Sequence, residues 1–227
     1  VAVDRQRIEA AVLELIEAIG DDPRREGLTN TPRRVADAYA EFFSGVGVDA
    51  RAALGETFPF TGDAPREPVL VRGVTFRSIC EHHLLPFRGT AHVAYVPNDR
   101  LVGLGRIPAV IEVLANRPQL QERLGEQIAS TLSEALDAAG TLVVLEASHG
   151  CVTLRGPQQA DSTTVTVASR GSLSEPAARA ELMALIAAGD AAIHAPTPSG
   201  APRAAAAPPT APTPAAPSPA TAHGVAL

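Results

Sequence analysis

Cys80 and His83 are separated by two residues in the run Ser78-Ile79-Cys80-Glu81-His82-His83-Leu84-Leu85-Pro86-Phe87. That spacing lets a thiolate and an imidazole reach one ion from a single turn. Cys151, in the later segment Ser148-His149-Gly150-Cys151, supplies a third donor. Three protein ligands leave the fourth position of a tetrahedral zinc open for water, as catalytic sites require, whereas a structural site closes with a fourth Cys or His. His149 and Cys151 stand two apart in an apolar run that reads as a strand, so they are expected to share one face. His149 is then an acid or base beside the metal. The same residues admit two plainer readings, a Cys80–Cys151 disulfide or inert buried thiols with satisfied core histidines. The grouping of Glu81, His82 and His83 around the cysteines favours the metal.

The elements that must hold these groups follow from periodicity. Asp4 to Ile19 carries apolar residues at helical spacing and stops at Gly20. A second helix enters through Asn30-Thr31-Pro32, with Asn30 or Thr31 as cap, and Gly45 to Pro68 reads as a connector. Val69–Phe76 and Gly89–Val96 are predicted strands flanking the Cys-Glu-His-His turn. Ile107–Ala115 is a short helix. After Pro118 a longer one aligns Leu120, Leu124, Ile128, Leu132 and Leu136 and ends at Gly140. Leu142–Leu154 and Ser162–Ala168 return to strand chemistry. The order predicts an α+β fold, a four-stranded antiparallel sheet with two helices on one face and N-terminal helices in front. Its exposed edges call for cover or for another chain. Ser174–Ala188 reads as one more helix, and beyond Ala195 the chain is almost only Ala, Pro, Ser and Thr, a disordered tail. The expected division is 1–65, an N-terminal helical region; 66–190, a catalytic domain; and 191–227, the tail.

Composition narrows the function classes. At 227 residues and 45% apolar content the chain can build one good-sized core, but with 4% aromatics and no Trp that core must come from Ala, Val, Leu and Ile. A net charge of -6 argues against nucleic acid as a partner, since phosphate backbones are held by surplus cations. All 19 basic residues are arginine. No stretch is apolar enough to span a bilayer and none resembles a signal peptide, so no membrane partner and a cytoplasmic location are expected. In that reducing compartment two cysteines serve as ligands or free thiols rather than as a disulfide.

Other residues have the right chemistry without a decisive pattern. Gln121 and Glu122 open the long helix, where a carboxylate and an amide could hold a guanine edge, or where an acidic first turn is simply favourable. Arg34, Arg106 and Arg155 could form an anion pocket or be scattered surface cations.

Ser78-x-Cys80-Glu81-His82-His83-Leu84-Leu85-Pro86-Phe87, His92-Val93-Ala94-Tyr95-x-Pro97, Arg117-Pro118-Gln119-x-Gln121-Glu122-Arg123-Leu124 and Ala147-x-His149-x-Cys151-x-x-x-Arg155-Gly156 resemble GTP cyclohydrolase I in order and spacing. Gly27-Leu28-x-x-Thr31-Pro32-x-Arg34-Val35-Ala36 does so too, and the likeness covers about the first 170 residues. The resemblance implies the tunnelling fold and a homodecamer with active sites between subunits. It implies zinc held by Cys80, His83 and Cys151, and GTP converted to formate and dihydroneopterin triphosphate, the entry to tetrahydrofolate or pterin synthesis. His149 would act as acid/base at the purine nitrogen and His82 in proton transfers and ribose opening. Gln121 and Glu122 would hold guanine, and Arg34, Arg106 and Arg155 the triphosphate. Two positions depart from the family pattern. Gly105 stands where a serine hydroxyl is usual, and Ala109 where a phosphate-binding arginine is usual. These departures keep open a paralogue with an altered nucleotide substrate, one that stops at a ring-opened intermediate, or a purine- or pterin-binding regulator.

Overall fold

The computed structural model describes residues 3–60 and 66–193. In chain order its elements are α1 (Arg5–Ala18), α2 (Thr31–Phe42), β1 (Thr57–Pro59), β2 (Val69–Cys80), β3 (Pro86–Val96), β4 (Arg100–Val102) and α3 (Arg106–Ala115). They continue with β5 (Pro118–Gln119), α4 (Gln121–Leu136), β6 (Gly140–His149), α5 (Gly150–Thr153), β7 (Thr164–Gly171) and α6 (Pro176–Ile193). The tail predicted from 191 onward therefore begins inside α6, and its remainder, 194–227, lies outside the described residues.

Local chemistry sets the helix boundaries. Asp4 caps α1 by accepting a hydrogen bond from the Arg7 backbone N–H at 3.1 Å. Pro32 lies in the first turn of α2, but Asn30 at the cap position makes no side-chain bond to the helix. The long helix α4 stops at Asp137, which takes the left-handed conformation with φ 45°, rather than at Gly140. Asp is among the few non-glycine residues that adopt this region readily. Gly140 instead opens β6, where a Cβ would lie 2.5 Å from Ser172 Oγ. The predicted connector is partly structured, because β1 pairs antiparallel with β4 in a small separate sheet.

The main sheet has the order β5-β2-β3-β6-β7 among the described residues. The four long strands are antiparallel as predicted, and β5 adds a two-residue parallel edge beside Ile79 and Cys80. Strands β2 and β3 reach further than alternation indicated, leaving only 81–85 as the turn between them. One face, carrying Phe76, Val93, Tyr95, Val143 and Leu145, packs on Ile107, Val110, Ile111 and Leu114 of α3 and on Leu124, Ile128, Leu132 and Leu136 of α4. The opposite face buries Ala94, Val96, Leu142 and Val144 against Leu182 and Ile186 of α6. That second cover sits at the sheet end remote from Cys80, because Val96 pairs with Gly140 while Phe87 pairs with His149. No helix among the described residues is long and apolar enough to cross a membrane.

Ile128 is fully buried at the centre of this core. Ile128→Ala is expected to lower stability by about 2–5 kcal/mol, the transfer and cavity cost of such a truncation, read from the shift of a denaturant midpoint at unchanged slope.

Candidate active site

Cys80 ends β2, and its backbone is closed into a tight turn. The Cys80 N–H donates to Leu85 O and the Leu84 N–H donates to Cys80 O, each at 2.9 Å. The turn forces Leu84 to φ 51°, an uncommon conformation for a residue with a branched apolar side chain. His82 and His83 are thereby held at the exposed top, with ring centroids 6.3 Å apart. Cys151 arrives from α5, one helical turn that begins as β6 ends. The shared strand face predicted for His149 and Cys151 is therefore replaced by a strand end followed by a turn.

The donor atoms of Cys80, His83 and Cys151 all lie within 4.8 Å of one another. Tetrahedral zinc with these ligand types needs donor separations of about 3.3–3.8 Å, within reach of small rotamer adjustments. Both cysteines are free thiols, which sets aside the disulfide. Burial, and then the adjoining Cys80 thiol, push the Cys151 pKa up, with Arg155 opposing. A Cys151 thiol held from ionising beside a second thiol suits a cation, which favours the thiolate form of a sulfur ligand. Buried Cys80, partly buried Cys151 and exposed His83 leave the group open on the histidine side.

His149 adjoins this group. Its ring stacks on Phe87 with centroids 4.7 Å apart and planes 8° from parallel. Burial holds the imidazole pKa below its ordinary value, against the pull of the Glu122 carboxylate. His149 Nε2 lies 2.7 Å from Gln121 Oε1. Gln121 itself is only 1% exposed, and its amide nitrogen donates to Leu145 O, Thr164 O and Thr166 Oγ1. Of the pair assigned to a guanine edge, Gln121 is thus turned into the protein, while Glu122 is exposed beside His149.

The three arginines are placed differently. Arg155 follows α5 and acts electrostatically on Cys151. Arg34 lines a surface hollow with Glu26, Gly27, Thr29 and Asn30. Arg106 packs over Gly55, where a Cβ would lie 3.2 Å from its Cζ. Neither Arg34 nor Arg106 hydrogen-bonds to Cys80, His83 or Cys151 among the described residues.

Several supports were not read from the sequence. Ser78 donates from Oγ to Ala115 O at 2.6 Å, fastening β2 to the end of α3. Arg123 pairs with Glu81 and donates to Gln119 Oε1 at 3.1 Å, and the Glu81 N–H donates to Gln119 O at 3.0 Å. Arg123 holds the Glu81 carboxyl below the usual carboxylate range. The signal available for Ser78 was its period-two relation to Cys80, which puts a small polar residue on the core face.

The family model for GTP cyclohydrolase I matches residues 8–187. The chain belongs to that family. It is 62% identical over 188 residues to GTP cyclohydrolase 1 of Leifsonia xyli subsp. xyli (strain CTCB07), covering 83% of this chain and 98% of that one. It is 48% identical to GTP cyclohydrolase 1 of Caldanaerobacter subterraneus subsp. tengcongensis, over 81% of this chain and 97% of the relative. With GTP cyclohydrolase 1 of Streptococcus pyogenes serotype M49 the identity is 46%, over 82% and 95%. The α+β architecture accords with the tunnelling fold of this family.

The Glu81–Arg123 pair braces the turn between Cys80 and His83. Arg123→Ala is expected to weaken metal retention roughly tenfold, the lower end of what partners outside the ligand set contribute, in competition with a chromogenic chelator. Unchanged retention would assign the brace to stability alone.

Proposed function

We propose that this chain is a zinc-dependent GTP cyclohydrolase I, opening GTP at C8 of guanine to release formate and form 7,8-dihydroneopterin triphosphate. The observation that carries this reading is the close approach of Cys80, His83 and Cys151 with His149 beside them, in a chain of this family. Zinc held by the three donors would acidify water for attack at C8. His149, half-buried and clamped, serves as acid/base at the purine nitrogen. His82, exposed next to His83, serves the later proton transfers. Glu122 accepts from the guanine edge, with Gln121 next to it in sequence, and Arg155, Arg34 and Arg106 hold the triphosphate. Because Arg34 and Arg106 sit on elements separate from the metal group, their part in one pocket fits sites completed between subunits of a homodecamer. The product would enter tetrahydrofolate or pterin synthesis in the cytoplasm. The catalytic domain is taken as 66–190, preceded by the helical region.

Zinc-loaded protein incubated with GTP should release formate and the closed pterin triphosphate, followed by formate assay and product mass. Cys151→Ser should lose tight zinc and formate release together. Full zinc occupancy in that variant would remove Cys151 from the site, and a fully loaded unmodified protein that releases no formate would overturn the activity.

A second reading, a paralogue altered in substrate or in the closing steps, rests on Gly105 and Ala109. Gly105 is exposed just before α3, with φ −67° and nothing within 4 Å of an added Cβ, so a serine fits there without rearrangement. Loss of a cation at Ala109 removes an interaction of roughly 1.5–3 kcal/mol, a charged hydrogen bond's worth, raising KM for GTP by roughly 10- to 100-fold. Gly105→Ser combined with Ala109→Arg should lower KM and speed ring closure, seen as less ring-opened intermediate in single-turnover mass spectrometry. Ordinary GTP affinity and no intermediate in the unmodified protein would show the two positions to be compensated elsewhere.

A further inference from the structure

The Gln121 amide can take only one orientation. Its nitrogen faces two backbone carbonyls, Leu145 O at 3.0 Å and Thr164 O at 2.9 Å. Carbonyls only accept, so exchanging the amide oxygen and nitrogen would set acceptor against acceptor twice in a buried place. Oε1 is therefore the atom that meets His149 Nε2 at 2.7 Å. An amide oxygen accepts and never donates, so Nε2 must carry a hydrogen.

We infer that Gln121 is a positioning residue that fixes His149 as the Nε2–H tautomer and presents Nδ1 as its proton-handling atom. Phe87 fixes the plane of the ring by stacking, and Gln121 fixes its rotation within that plane. With one face and one edge engaged, the working edge is the one that carries Nδ1. This inference rests on the proposed cyclohydrolase reading for its chemistry. The Nδ1 lone pair takes the proton shed as a water oxygen bonds to C8 and returns it to the purine nitrogen as the C8–N bond breaks, so the imidazole ends as it began. Guanine recognition then falls to Glu122, since the Gln121 amide is buried and turned toward His149, β6 and β7.

Two measurements on the zinc-loaded, full-length protein test this. The first needs no turnover: a long-range 1H–15N spectrum of histidine-labelled protein, with the His149 signals assigned by their loss in His149→Asn. A protonated Nε2 and an unprotonated Nδ1 in the neutral ring are expected, and the reverse pattern overturns the inference even if GTP is not a substrate. The second is the kinetics of Gln121→Met, which keeps length and removes both amide functions, compared at equal zinc content and oligomer size. The expected result is a kcat lowered roughly 10- to 100-fold, a partial loss of the roughly 100- to 10,000-fold that general acid–base catalysis supplies, with KM for GTP changed less than twofold. A raised KM at unchanged kcat would return Gln121 to guanine binding and overturn the positioning role. Absence of formate release from the unmodified protein would sink the cyclohydrolase reading instead, and the tautomer pattern would still decide the inference. If Gln121→Met does not fold, the spectrum of the unmodified protein decides alone.

Discussion

Phe87 opposite His149 in the β3–β6 ladder is the pairing on which the rest of the molecule depends. The same row continues to Ser78 on β2, which pairs with Phe87. A slip of one residue would turn Val93, Tyr95, Val143 and Leu145 away from α3 and α4 and would carry His149 off its stacking partner. The register is held sterically as well as by the core. Gly89 faces Ala147, and a Cβ on Gly89 would lie 2.7 Å from the Ala147 Cβ and 1.9 Å from Glu146 O. The strands thus approach at a point where a side chain on β3 has no room, two register pairs away from the His149 imidazole. Core formation and placement of the site are one event, because the ladder that buries Leu145 also delivers His149 to its partners.

The junction of β5 and α4 transmits that placement to the turn after Cys80. Gln119, Gln121 and Arg123 reach three different parts of the molecule. Gln119 donates to Leu114 O and Gln127 Oε1, Gln121 bridges β6 and β7 to His149, and Arg123 holds Glu81. Both glutamines are only 1% exposed, and leaving either amide unpaired in such a place would cost about 1–3 kcal/mol. These bonds therefore act chiefly as a requirement on geometry: the helix start can be buried only where all of its partners are in position.

The candidate metal-binding group was legible in the sequence because ligand spacing is a local rule, and Cys80 with His83 obeys it within one turn. The nearness of His149 to Cys151 was legible too, but through a mistaken strand. The alternation of apolar residues continues past His149, whereas the chain turns at Gly150, where a Cβ would come within 2.8 Å of Pro86 O. That turn is set by the start of β3, a partner more than sixty residues earlier, which a local pattern cannot contain. The four long strands and the two covering helices were readable for the opposite reason, since each carries its own period. The small β1–β4 sheet and the β5 edge escaped because strands of two or three residues have no period to show. For α6, the apolar stripe of Leu182 and Ile186 announced a helix, but only the sheet's second face, with Ala94 and Val144, says where it packs. Gln121 was noticed for its chemistry, and its burial was invisible because the carbonyls that engage it belong to β6 and β7.

The paired thiols give the site an intrinsic coupling between metal and protons. Burial and the Cys80 thiol raise the Cys151 pKa, against a backbone hydrogen bond and the Arg155 charge, which favour release of its proton. An ion that binds through sulfur must displace that proton, so metal affinity grows as pH rises and protons become scarcer. The burial that disfavours the Cys151 thiolate also holds His149 below its ordinary pKa, which favours the neutral imidazole. A neutral ring with a fixed Nε2–H is the form that a proton relay through Nδ1 needs. Burial at the end of β6 thus serves both halves of the site, selecting a cation for the cysteines and a vacant proton position for the histidine.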